Sequence, residues 1–426
     1  MSLRDYEFEM DFCSRCSHCK WIPLLFIKSH RYANVCPAIE RFNFHAYSGS
    51  GRVIAAHSVH EGRSEITDEL LDVIYRCQLD GACNVMCHLS NEILEPLQII
   101  RELRTLAVER GMLLPEHTMI IDSMRKEDNV LGEKKADRGK WAEGLDVKDI
   151  NSGEAEVFYH AGCRYSYNQD LRGIARTGIS LLRGAGVDVG IAGGEEACCG
   201  GRAFDIGYRG EMEKYADDFA NRLRSSGAST LVTSCSDCYS AFKHLYPMIG
   251  KKLDVEIVHI TEYLDRLIKE GRIALCKEVP LRVTYHDPCH LGRLGEEYTP
   301  WSGEWKTVHG GVIVSDPPKP VHKGLGGVYD PPRDVLKAIP GLQLLEMERN
   351  REFSWCCGAG GGVLEAYEDF AAWTAMERIE EARSTGAEAL VTACPWCERN
   401  FKDAVAANGH GITVYDVVEL VQEAAG

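Results

Sequence analysis

The sequence predicts α+β and α/β architecture in one chain: a helical N-terminal part followed by two duplicated α/β units. Three observations carry this. A five-cysteine pattern occurs twice, as Cys163, Cys198-Cys199, Cys235 and Cys238, then as Cys289, Cys356-Cys357, Cys394 and Cys397. Around the last pair the copies align as GASTLVTSCSDC (227–238) and GAEALVTACPWC (386–397). Within each copy short β-rich runs alternate with helical periods, the signature of parallel sheet. Ahead of them, 1–121 carries clustered cysteines and apolar spacing of three to four, a helical pattern. Expected boundaries are 1–121, a linker at 122–153, and the repeats at 154–275 and 280–426, with an insert at about 295–330.

Composition narrows the function classes. The chain has 426 residues and a formal charge of −16, long enough for several cores and too acidic for a nucleic-acid partner. No apolar run reaches the length of a membrane span, and the acidic start MSLRDYEFEMDF lacks the order of a secretory signal. A cytoplasmic protein, or a peripheral part of a membrane complex, is expected. Its eighteen cysteines then point to metal or redox chemistry rather than disulfides.

In the N-terminal part, CSRCSHC supplies Cys13, Cys16 and Cys19, with Cys36-Pro37 following; CQLDGACNVMCH supplies Cys77, Asp80, Cys83 and Cys87. Both are variants of C-x2-C-x2-C-x3-C-P, which wraps cubane clusters and lends its fourth cysteine to the other cluster. This places Cys13, Cys16, Cys19 and Cys87 on one cluster and Cys36, Cys77, Cys83 and Asp80 on the other. With Asp80 in place of a cysteine, the second is a [4Fe–4S] cluster with an oxygen ligand or a [3Fe–4S] cluster. Zinc, which also takes Cys and Asp, is the rival metal. Helices are expected over 66–77 and 91–111, capped by Thr67-Asp68 and Ser90-Asn91. The charged stretch 122–153 shows little periodicity and reads as an exposed connection.

Each repeat opens on an apolar run ending at its lone cysteine, AEVFYHAGC and LRVTYHDPC. Helical periods follow at 171–186, 211–227 and 366–386. Cys163, Cys235, Cys289 and Cys394 then fall at strand ends, where parallel sheets form their ligand crevices. The second repeat has 66 residues between its lone cysteine and its pair, against 34 in the first; the excess reads as a lid or docking loop. His290 is expected beside the metal as an outer hydrogen-bond partner. Arg164, Arg202 and Arg293 read as solvated surface or as anion contacts. The GAG tripeptides at 184–186 and 358–360 lack the strand context of a dinucleotide site. Cys276 belongs to no motif.

A doubled five-cysteine pattern behind a two-cluster ferredoxin-like part resembles the CCG-domain iron–sulfur family, and in architecture the D-type subunit of heterodisulfide reductase. The resemblance implies two cubane-type clusters in the ferredoxin-like domain. It also implies one noncubane [4Fe–4S] cluster in each CCG domain, with all ten repeat cysteines as ligands. It implies electrons arriving singly through the cubanes and a disulfide reduced, or thiols oxidised, between facing noncubane clusters. Partners would be a flavoprotein, a ferredoxin-type protein or a membrane haem subunit, in an anaerobic or strictly reducing host. The same domain accompanies other reactions, so the alternative is an electron-relay subunit of a larger flavoprotein or acyl-CoA (benzoyl-CoA-type) reductase complex.

Overall fold

The structure, a computed structural model, describes residues 2–409 and 411–425. Eleven strands are β1 (Lys148–Asp149), β2 (Val157–His160), β3 (Val189–Ile191), β4 (Thr230–Thr233), β5 (Glu256–His259), β6 (Arg282–Tyr285), β7 (Glu304–Thr307), β8 (Ile313–Asp316), β9 (Gln343–Leu345), β10 (Ala389–Thr392) and β11 (Thr413–Asp416). They build a parallel sheet ordered β1-β3-β2-β4-β5, a second parallel sheet ordered β11-β10-β6-β9, and an antiparallel hairpin β7-β8. Without β1 the two large sheets share one topology, β3-β2-β4-β5 corresponding to β9-β6-β10-β11. The duplication seen in the cysteines is therefore a duplication of the fold.

The central strands β2, β4 and β10 are buried along their whole length, which is why VFYH, TLVT and ALVT read as continuous rather than alternating runs. Crossover helices Arg172–Gly184, Arg209–Ser226 and Glu368–Ser384 fall close to the expected periods. Gly227, at φ 66°, ends the second of these in the left-handed conformation that glycine adopts without strain. One hydrophobic core joins Val157, Val232 and Leu264 to Val283, Val391 and Val417, so the repeats share an interior. A second core on the other side of the sheets holds most of the repeat cysteines with Phe158, Phe219 and Phe401.

The N-terminal part is helical, with Gly49–His60, Asp68–Tyr75, Ala82–His88, Pro96–Glu109 and Pro115–Glu127 as its main helices. Thr67 caps the second through Leu70 N, as expected. The fourth starts later than the Ser90-Asn91 reading. Asn91 donates instead to Phe12 O, and Pro96, which lacks the N–H that a helix start leaves unpaired, takes the first helical position.

The stretch 122–153 is not an exposed connection. It carries the end of a helix, a 3₁₀ run (Lys135–Ala142) and β1, which extends the first sheet, and Trp141 and Arg138 are buried. The insert forms the hairpin β7-β8 and lies on the N-terminal segment, where Trp305 meets Phe8 at 4.7 Å between ring centroids and Lys319 pairs with Glu9. Among the described residues no helix is long and apolar enough to cross a membrane.

Candidate metal centres

Both five-cysteine sets converge. Cys163 lies just beyond β2, Cys198 and Cys199 precede the short helix Gly201–Asp205, and Cys235 and Cys238 follow β4. Their thiols lie near enough to shift one another's pKa in the series Cys163, Cys198, Cys199, Cys238, Cys235. The second set repeats it as Cys289, Cys356, Cys357, Cys397, Cys394. All ten are buried. Gly200 N and Gly358 N donate to Cys198 Sγ and Cys356 Sγ at 3.4 and 3.3 Å. At Gly162 (φ 75°) a Cβ would sit 3.0 Å from Cys238 Sγ, so the backbone passes a sulfur only because no side chain intervenes.

The two sets meet. Cys235 and Cys394, equivalent positions in the repeats, face each other across the seam, near enough for each thiol to shift the pKa of the other. Ser236 Oγ donates to Ala393 O at 2.7 Å beside them. His290 Nδ1 lies 3.4 Å from Cys289 Sγ and 3.3 Å from Asp237 Oδ1; its Nε2 is 3.5 Å from Asp205 Oδ2, whose other oxygen takes Arg101 at 3.1 Å. Burial opposes a charge on His290, but Asp237, Cys289 and Asp205 outweigh it and raise the imidazole pKa well above its usual value. Burial also raises the Asp237 carboxyl to about 6. Arg202 and Arg293 are buried, so the solvated reading of them fails. Arg202 and Arg164 stack on Trp396 at 3.9 and 4.1 Å.

The donor set fits iron. Hydrogen bonds from Cys198 and Cys238 pull Cys199 down to about 5, and those from Cys356 and Cys397 pull Cys357 to about 6. Seven of the other repeat thiols are pushed up by burial and by their neighbours, and Cys394 is held low. Five such sulfurs cannot all ionise in an apolar pocket unless a metal supplies the positive charge.

In the N-terminal part Cys13, Cys16, Cys19 and Cys87 share one small pocket, and Ser50 N donates to Cys19 Sγ at 3.3 Å. Cys36, Cys77 and Cys83 gather with Asp80; burial raises Cys36 to about 12. Gly49 separates the groups, since a Cβ there would lie 2.8 Å from Cys83 Cβ and 3.3 Å from Cys19 Cβ. Asp80 Oδ1 accepts from Ala82 N at 3.0 Å, whereas its buried Oδ2 has no hydrogen bond and is ion-paired with Arg293 at 3.4 Å, which leaves it lone pairs for a metal. Arg293 also feels Cys289 and Cys356, so it lies between this group and the second five-thiol set.

Sequence reasoning missed Arg138, which donates to Cys163 Sγ at 3.6 Å and pairs with Glu196, both groups buried. It looked like one more charge in a solvated stretch. It also missed His286, which gathers with Cys357 and Cys397 so that one ligand atom from each lies within 4.8 Å of the others. The signal was present: both repeats place a histidine, His160 or His286, three residues before the lone cysteine.

Residues 157–243 and 321–402 match the cysteine-rich CCG domain, and 9–91 match a 4Fe-4S dicluster domain. The chain is 31% identical to the D-type subunit of the dihydromethanophenazine:CoB–CoM heterodisulfide reductase of Methanosarcina mazei, over 98% of this chain and 94% of that one. It is 28% identical to the probable iron-sulfur-binding oxidoreductase FadF of Bacillus subtilis, over 99% of this chain and 55% of that one. The EtfAB:quinone oxidoreductase of Syntrophomonas wolfei is 29% identical over 83% of this chain and 46% of its own length. An iron–sulfur oxidoreductase component with no membrane-crossing helix among its described residues, the chain belongs to the family of the D-type subunits of heterodisulfide reductase.

Proposed function

We propose that this chain reduces a disulfide, or oxidises thiols in reverse, at the seam of its two CCG domains. The observation that carries the reading is the juxtaposition of Cys235 and Cys394 across the seam. Two equivalent five-thiol sets meet at one point, so the sulfurs of a single bond can each be taken by a different centre. Bound there, noncubane clusters would supply iron for sulfur capture and one electron at a time. Cleavage balances as one disulfide plus two electrons and two protons giving two thiols. The chain's own groups serve the rest. Cys13, Cys16, Cys19 and Cys87 would hold the outer cubane. Cys36, Cys77, Cys83 and Asp80 would hold the inner one, which Arg293 joins to the second set. His290 and Asp237 keep a proton at the seam, and the buried tryptophan and arginines exclude water.

Replacing one thiol of the second pair, Cys356→Ser, should abolish thiol-coupled dye reduction while the cubane spectra persist. Full activity in that variant would end the proposal. A relay reading has its own support: Trp396 and Arg202 are 6% and 7% exposed, so the seam is closed. Cluster spectra that no disulfide or thiol perturbs would favour a relay role within a larger flavoprotein complex.

A further inference from the structure

Between Cys13 and Arg52 the sequence carries six Arg and Lys against one acid, Glu40, in a chain of charge −16. Half of that charge is already engaged. Arg52 is buried on backbone carbonyls, Arg31 pairs with Glu377, and Arg41 lies over Trp373. Arg15, Lys20 and Lys28 have no ion pair among the described residues, and Arg15 and Lys28 are exposed. Arg15 lines the outer cysteine pocket together with Ser50, whose Oγ lies 3.3 Å from His45 Nε2, and Lys20 directly follows Cys19 of the same pocket, so both cations lie near His45. Next to His45, Phe44 is 63% exposed. In the same place Cys16 is exposed, whereas Cys36, Cys77 and Cys83 of the other group are partly or wholly covered. The outer cubane site thus reaches the surface inside an apolar and cationic patch on an otherwise acidic molecule.

We propose that this patch, formed by Arg15, Cys16, Lys20 and Phe44, is the docking face for a one-electron carrier protein with an acidic surface. An acidic partner is repelled by most of this molecule. Within a screening length of about 8 Å at physiological salt, the local cations decide where it can settle, so charge orients the encounter. Phe44 supplies the apolar centre that such interfaces share. An anionic membrane would also be attracted, but it makes no use of an exposed cluster ligand. The inference rests on the metal-centre reading above and is independent of what happens at the seam.

The test follows cluster reduction in the reconstituted full chain, without disulfide, by a reduced acidic two-cluster ferredoxin in stopped flow. Arg15→Glu/Lys20→Glu, checked for full cluster content, should slow this at least about tenfold. Phe44→Ser should slow it with both charges intact. Reduction by photoexcited deazaflavin, a small donor that needs no docking, should be unchanged in both variants. An unchanged ferredoxin rate, or an equal loss with deazaflavin, overturns the proposal. So does sedimentation of the unmodified chain with phosphatidylglycerol vesicles that the double variant abolishes, because the patch then serves a membrane.

Discussion

The two oxygens of Asp80 have different neighbours, and that difference makes a residue-scale prediction. Oδ1 is engaged by Ala82 N, whereas Oδ2 is buried and free of hydrogen bonds beside three thiols. If Oδ2 ligates iron, Asp80→Ala removes one ligand and converts the inner cluster to a three-iron form. Electron paramagnetic resonance of the oxidised protein should then show the signal of that form, and an unaltered four-iron cluster would exclude the role. That the thiols gather in these sets follows from their intervals in the chain and from the ferredoxin rule that exchanges the fourth cysteine. Arg138 and Arg293 were not legible in the sequence. An arginine that closes a buried pair looks in sequence like any surface charge, and only the fold brings Glu196 or Asp80 to it.

Among the elements, the insert and the N-terminal segment hold each other through Lys319 and Glu9. Burial raises the Glu9 carboxyl to about 7, against the pull of Lys319 and with a push from Glu95. A carboxyl raised in the folded state binds protons that the unfolded chain releases. Its presence therefore costs stability as pH climbs from about 4.5 to about 7, by up to about 3 kcal/mol at 1.36 kcal/mol per unit. Thermal unfolding of the unmodified chain should fall more steeply over that window than that of Glu9→Gln; parallel curves would refute this. The strands and crossover helices were readable because burial and period write them locally. The stretch 122–153 was not, since a 3₁₀ run and a two-residue edge strand have too little period to register.

For the whole molecule the joint is Arg104. Its buried guanidinium donates to Ile74 O and Cys77 O in the N-terminal part, to Asp205 O in the first repeat and to Gly361 O in the second, at 2.6–3.1 Å. Arg104→Met would strand four carbonyls in a dry interior and should cost about 3–5 kcal/mol. It should also break a single denaturant transition into separate ones for the N-terminal part and the repeats. One cooperative transition of unchanged midpoint would show that the parts are joined elsewhere.

The seam at Cys235 and Cys394 is where a residue meets its own counterpart, as happens on the axis of a symmetric homodimer. Here both partners are written in one chain, and a fused pair is free of a rule that binds a true dimer: no change need be made twice. Asp237 and Trp396 occupy corresponding positions, as do Cys163 and Cys289, the first approached by Arg138 and the second by His290. One half presents a carboxylate at this point, and the other an indole that lies against Arg164 and Arg202 of the first half. Duplication supplied two like halves, and fusion let them become unlike, so whatever lies between them is met by a left hand and a right.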